Sequence, residues 1–166
     1  MKSGKQKGNQ FERDVARKLG KSLYNDEDAL WRTHSSGGWV KEKTGRVHPG
    51  DIYPIKPVPF PFEFVVECKN VRGWSLDDFF NTKKNLIISW WNKLHDDIFL
   101  AGSSYSKYIP LLIITKNYFP ILAVTNMITL TPPQWAVFHF NTVDSLVIIP
   151  FETLTDELKR SRVSSI

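Results

Sequence analysis

Phe62-Glu63-Phe64-Val65-Val66-Glu67-Cys68-Lys69 is the stretch on which the reading of this chain turns. Its even-numbered residues Phe62, Phe64, Val66 and Cys68 are apolar, whereas Glu63, Glu67 and Lys69 set three charges on the odd-numbered side. Successive side chains of a strand point to opposite faces, so the alternation predicts a strand with one face in a core. Glu67 and Lys69 then leave the same face roughly 7 Å apart at the backbone, and both reach one small volume.

Working upstream, Asp51-Ile52-Tyr53 reads as extended, and Pro54 makes that segment short or places it at an edge. Pro57, Pro59 and Pro61 stiffen the connection to the next strand. If the two extended segments form a hairpin, Asp51 brings a second carboxylate beside Glu67. Nearer the start, Phe11, Val15, Leu19 and Leu23 recur every fourth position and predict a helix from about Gly8 to Leu23. Glu12 lies on the flank of that stripe, a candidate third acid, while Arg13 and Arg17 share a more exposed side. Ala29 to Thr33 predicts a short strand. It runs into Ser35-Ser36-Gly37-Gly38, which predicts a mobile loop through Lys41, Lys43 and Arg46 to His48-Pro49-Gly50.

Downstream, Leu76 to Phe80 and Ile87 to Leu94 read as helical, and Ile109 to Thr115 and Ile121 to Thr125 as buried strands. Leu146 to Ile149 leads into a final polar helix around Glu152 to Arg160, while Trp135 to Phe140 carries no decisive pattern. The order is that of a mixed α/β chain.

Composition bounds the answer. A chain of 166 residues, 42% hydrophobic and 23% charged, is long enough to bury a core as one domain spanning residues 1–166, and it is neither disordered by composition nor fibrous. The single Cys68 forms no internal disulfide, and no basic-then-apolar leader is legible, so the expected setting is a reducing cytoplasm. No apolar run approaches the roughly 20 residues that a bilayer span needs, so no membrane association is expected. The four histidines show no ligand spacing, which argues against a zinc site, and no glycine-rich phosphate loop points to a nucleotide cofactor.

The net charge of +5 is concentrated in residues 1–22, where seven Lys and Arg stand against Glu12 and Asp14, while the rest of the chain balances. Such a segment suits a polyanion, because each cation set against a phosphate releases condensed counterions, and a solvated helix face is the bland alternative. Cys68, Trp74, Trp90 and Trp91 read first as core residues, with base stacking or a dimer face as other uses for the tryptophans.

Magnesium takes hard carboxylate oxygens and keeps several waters, so two or three acids converging beside a lysine suit metal-assisted hydrolysis of a phosphodiester. At this point the residues resemble the PD-(D/E)xK nuclease superfamily, and within it the archaeal-type Holliday junction resolvases and their phage-encoded relatives. The resemblance rests on Lys7-Gly8 followed by Phe11-Glu12-Arg13, the loop Ser35-Ser36-Gly37-Gly38, Gly50-Asp51-Ile52 and Val66-Glu67-Cys68-Lys69. More loosely, Pro110-Leu111-Leu112-Ile113-Ile114 with Lys116-Asn117 is similar to phage members.

The resemblance implies a restriction-endonuclease-like core, with a mixed central β-sheet flanked by helices. It implies that Asp51 and Glu67 bind a divalent metal, Mg2+ or alternatively Mn2+. Lys69 would position or activate the attacking water, and Glu12 would complete the metal site or its hydrogen-bonded surroundings. Ser36 and Ser35 would contact the DNA backbone near the scissile phosphate; Arg13, Arg17, Lys18 and Lys21 would track phosphates. The implied products are 5′-phosphate and 3′-hydroxyl ends. Resolving a four-way junction requires two symmetric cuts, which a two-fold homodimer provides. Two departures stand out. Gly50 intervenes between Pro49 and Asp51, where the motif's proline usually precedes the aspartate directly. The later helix offers Asn92 and Lys93 where a glutamine often faces the site. A restriction-like or repair endonuclease of the same fold, or a non-catalytic nucleic-acid-binding module, are the other readings open at this stage.

Overall fold

The computed structural model describes residues 3–33, 49–79, 85–126, 136–139 and 145–163, with the backbone alone described at 79, 136–139, 145, 162 and 163. Helix α1 spans Gly4–Tyr24. It starts ahead of its apolar stripe because Ser3 and Gln6 cap it reciprocally: the Gln6 N–H donates to Ser3 Oγ at 3.3 Å and the Ser3 N–H to Gln6 Oε1 at 2.9 Å. It stops at Asn25, which takes the left-handed conformation (φ 56°) and returns its N–H to the Gly20 and Lys21 carbonyls.

Strands β1 (Leu30–Arg32) and β2 (Ile52–Pro54) form an antiparallel pair in which Trp31 faces Tyr53. The main sheet contains β3 (Phe64–Asn70), β4 (Ile109–Thr115), β5 (Leu122–Thr125), β6 (Ala136–His139) and β7 (Ser145–Pro150) in the order β3-β4-β5-β7-β6. The β3–β4 pair is parallel and the remaining pairs are antiparallel, so the sheet is mixed. Helix α2 covers Leu86–Leu100, with Asn85 capping it through the N–H groups of Ile87 and Ile88, and α3 covers Phe151–Val163.

The hairpin expected between the Asp51 segment and β3 does not form. β2 pairs with β1, and β3 takes its full seven-residue partner β4 in parallel, from Phe64 beside Ile109 to Asn70 beside Thr115. The prolines at 54, 57, 59 and 61 explain this outcome, since a stiff connection without the needed N–H donors cannot close a tight antiparallel turn. β3 is therefore an edge strand. The stretch left open by the sequence, Trp135 to Phe140, contains edge strand β6.

The alternation along β3 and β4 divides the core in two. Phe64, Val66, Cys68, Leu111 and Ile113 pack with Phe11, Val15 and Leu19 of α1 and Phe151 and Leu154 of α3. On the other face Val65, Leu112 and Ile114 pack with Ile87, Trp91 and Leu94 of α2 and with Trp74. Among the described residues no helix is long and apolar enough to cross a membrane.

Candidate active site

Asp51 reaches the edge of β3 through a close backbone approach. Gly50 adopts φ +88°, and a Cβ placed there would lie 2.7 Å from the Val66 carbonyl oxygen and 3.0 Å from the Val66 nitrogen. Only glycine fits that conformation and that gap. The residue that departs from the motif thus has a physical reason: it lets the chain lie against β3. Asp51 is then clamped from both sides. Its N–H donates to the Val66 carbonyl at 2.6 Å, and its own carbonyl accepts from the Thr33 N–H at 2.8 Å. The Cys68 N–H donates to its carboxylate, at Oδ2, over 2.8 Å.

Glu67 and Lys69 project from the odd face of β3, and Lys69 Nζ donates to Glu67 Oε1 in an ion pair whose side chains are 26% and 16% exposed for Lys69 and Glu67. The electrostatics tie them to Asp51. Burial first, then the neighbouring Glu67, push the Asp51 carboxyl up to about 7; the Cys68 N–H opposes this, Glu12 adds a further push, and Lys69 opposes it. Asp51 is therefore the group on which the charges of Glu67, Glu12 and Lys69 act.

Glu12 is engaged by Arg32. Arg32 Nε donates to Glu12 Oε2 at 2.6 Å, and Arg32 Nη2 donates to Asn9 Oδ1 at 3.0 Å, with the Arg32 and Glu12 side chains only 12% and 18% exposed. Among the described residues, no group of three or more His, Cys, Asp or Glu stands close enough together to hold a metal. Arg32 and Asn9 are the residues that sequence reading missed. The available signal was an arginine ending the short apolar run Ala29-Leu30-Trp31, directly before the serine-glycine loop.

The sequence pattern gives Lys93 of α2 no role. Its ammonium is held above the usual lysine range mainly by the hydrogen bond to Asp97, with smaller contributions from Glu67 and Asp51, which puts Lys93 within electrostatic reach of the site. Cys68 is buried, and burial pushes its thiol up, as befits a core residue rather than a nucleophile. Trp74 and Trp91 are buried in the α2 core, with Trp90 packed against it.

The basic residues of α1 divide between two depressions. Arg17, Lys18 and Lys21 line a groove of about 520 Å³ whose other wall carries Glu152 and Asp156 of α3, and Lys18 lies 3.8 Å from Glu152. That groove is mixed in charge, not a plain basic track. Arg13 instead borders a depression of about 270 Å³ with Gln6, Asn9 and Gln10, on the side where Asn9 holds Arg32. Ser35 and Ser36, with His34, Lys41, Lys43, Arg46 and His48, lie outside the described residues.

A mixed sheet with helices on both faces, carrying an acid at its edge and an acid-x-lysine on its first strand, is an α/β fold compatible with a restriction-endonuclease-like core. The sequence model of the family described as phage putative PDDEXK endonuclease matches residues 3–166, and the chain belongs to that family. It is thus a phage-type member of the PD-(D/E)xK superfamily, a family of nucleases. No curated protein and no solved structure matches the chain.

Proposed function

We propose that this chain is a metal-dependent endonuclease acting on branched DNA, with the four-way junction as its substrate, and that it works as a homodimer. The observation that supports this best is the convergence at the β3 edge: Asp51 held by the Cys68 N–H, beside the Glu67–Lys69 pair.

The donor set fits a divalent cation. A carboxylic acid largely removed from water beside a second one resists ionising, and a cation relieves both burdens. Magnesium is commonly held by one or two carboxylates with waters and substrate phosphate completing its shell, so Asp51 and Glu67 suffice; manganese would suit the same oxygens. When bound, the metal would polarise the phosphoryl oxygen and acidify water.

The chain's own groups do the rest. The Cys68 N–H and the Val66 carbonyl fix Asp51, which leaves its carboxylate little freedom to turn away. Lys69 orients Glu67, and its ammonium offsets charge that develops on the phosphate as water attacks phosphorus in line. The O3′ leaves and takes up a proton, giving 5′-phosphate and 3′-hydroxyl ends. Glu12, engaged by Arg32, contributes through the charge it sets on Asp51. Two copies related by a two-fold axis present two such sites to the symmetric strands of a junction.

The test is cleavage of an end-labelled four-way junction against a matched duplex. Magnesium-dependent, symmetrically paired cuts in the junction support the proposal; equal cutting of both favours a restriction-like or repair enzyme of the same fold. Binding without any cutting by the folded protein would point to a non-catalytic module.

A further inference from the structure

The turn joining β4 to β5 carries an aromatic ring that contributes nothing to the fold. The Phe119 N–H donates to the Lys116 carbonyl at 3.1 Å, closing a four-residue turn, Lys116-Asn117-Tyr118-Phe119. Tyr118 occupies its third position with φ +61° and is fully exposed, at 106%. A positive φ at that position ordinarily selects glycine or asparagine, and asparagine stands one place too early here. A bulky residue held in the left-handed region with no burial in return is an outlier that calls for a functional reason.

The turn is anchored firmly. Thr115 Oγ1 donates to the Phe119 carbonyl at 3.1 Å, and the Phe119 ring meets Trp74 edge-on with centroids 5.1 Å apart. Lys116 Nζ lies 4.5 Å from the Trp74 centroid and 4.8 Å from that of Phe119, and donates to the Trp74 carbonyl at 2.8 Å. Its position is set by the sheet. The parallel register puts Ile114 beside Lys69 and Thr115 beside Asn70, so the turn begins roughly 7 Å further along the strands than Lys69. Leu112 and Ile114 pack on the α2 side, the face from which Glu67 and Lys69 also project.

Resting on the nuclease reading above, we propose that Tyr118 is a base-stacking residue that presents its ring to unstacked nucleobases of branched DNA beside the cleavage site. A nucleobase is the partner that the surroundings favour. The ring stands fully exposed on a turn, beside the polar Asn117. An exposed aromatic on a rigid mount offers the π-face on which proteins stack unpaired bases without reading their sequence.

The experiment uses the full chain with Tyr118→Ala, Tyr118→Phe and Tyr118→Gly, and a four-way junction bearing 2-aminopurine at the branch point, in chelator so that no strand is cut. Wild type and Tyr118→Phe should change the 2-aminopurine fluorescence on binding. Tyr118→Ala should lose that change and bind the junction roughly tenfold more weakly, the loss expected for one base stack. Tyr118→Gly should melt at or above the wild-type temperature, because glycine relieves the backbone without removing a packed ring. Wild-type fluorescence and affinity in Tyr118→Ala, or a lower melting temperature in Tyr118→Gly, overturns the proposal. If wild type cuts DNA with magnesium while Tyr118→Ala binds the junction as wild type does, this inference alone falls. If wild type neither binds nor cuts any DNA, the nuclease reading falls with it.

Discussion

The Cys68 backbone N–H donates to Asp51 Oδ2 at 2.8 Å, so the strand that carries Glu67 and Lys69 also grips the acid delivered by a different segment. One residue thereby serves two ends. The Cys68 side chain is buried in the α1 core while its N–H, on the free edge of β3, fixes Asp51. Glu67 and Lys69 on the odd face carry the chemistry, the even face packs on α1, and the strand edge joins in the missing carboxylate.

Gly50→Ala should disrupt this junction. The added Cβ would press on the Val66 carbonyl at 2.7 Å in a backbone conformation of φ +88°. We expect a loss of about 2 kcal/mol or more in urea denaturation, together with reduced cleavage because Asp51 is pushed from β3. An alanine variant with wild-type stability and activity would show that the close approach is dispensable.

Asp51 also sets a pH dependence. Its carboxyl is raised from 3.8 to about 7 by burial and then Glu67, so between those values the native state holds a proton that the unfolded chain has released. Stability of the metal-free protein should therefore fall as pH rises from about 4 to 7 on account of this group. Asp51→Asn, which cannot ionise, should flatten that decline and melt higher than wild type at pH 8 in chelator. Parallel melting curves across pH for the two proteins would contradict it.

The same protonation links metal to pH. Binding a divalent cation at Asp51 near neutral pH should displace its proton, so titration calorimetry in buffers of different ionisation enthalpy should register proton release at pH 6.5 that vanishes by pH 9. Asp51→Asn should bind weakly and release none. Buffer-independent heats at pH 6.5 would place the metal elsewhere.

How far the sequence led can be read from particular residues. The period-two alternation of Phe62 to Lys69 and the four-residue spacing of Phe11 to Leu23 reveal β3 and α1, because each packs a continuous apolar face into the α1-side core and burial writes itself into the pattern. The pairing of β3 was not legible: the six apolar residues that open β4 offer a partner in either direction, and the prolines ahead of β3 decide the matter only through geometry. Gly50 read as a departure from the motif, since its role lies in a 2.7 Å approach to a carbonyl that no spacing reveals. Arg32 was missed because its partners Glu12 and Asn9 stand 20 and 23 residues away in sequence. The charge count of α1 was legible, but not that α3 sets Glu152 and Asp156 opposite Arg17, Lys18 and Lys21.

The Arg32 bridge yields a further test. Arg32→Gln should cost about 2 kcal/mol by leaving Glu12 largely buried without its cation, and Arg32→Lys should not restore it, because a single ammonium cannot replace the planar fork shared by Glu12 and Asn9. A double-mutant cycle with Glu12→Gln should give a coupling of about 1 kcal/mol or more. Additive effects would mean that the pair is not coupled.

The central claim is that Asp51, Glu67 and Lys69 act as one metal-dependent hydrolytic unit. The most direct measurement is single-turnover cleavage of labelled junction DNA by wild type, Asp51→Asn, Glu67→Gln and Lys69→Ala, each checked for folding, with magnesium and with chelator. The account predicts rapid cutting by wild type only when magnesium is present. It predicts losses of several orders of magnitude in each variant, with double substitutions adding little to the single ones. Near-wild-type cutting by folded Asp51→Asn, or cutting by wild type that persists in chelator, would contradict it.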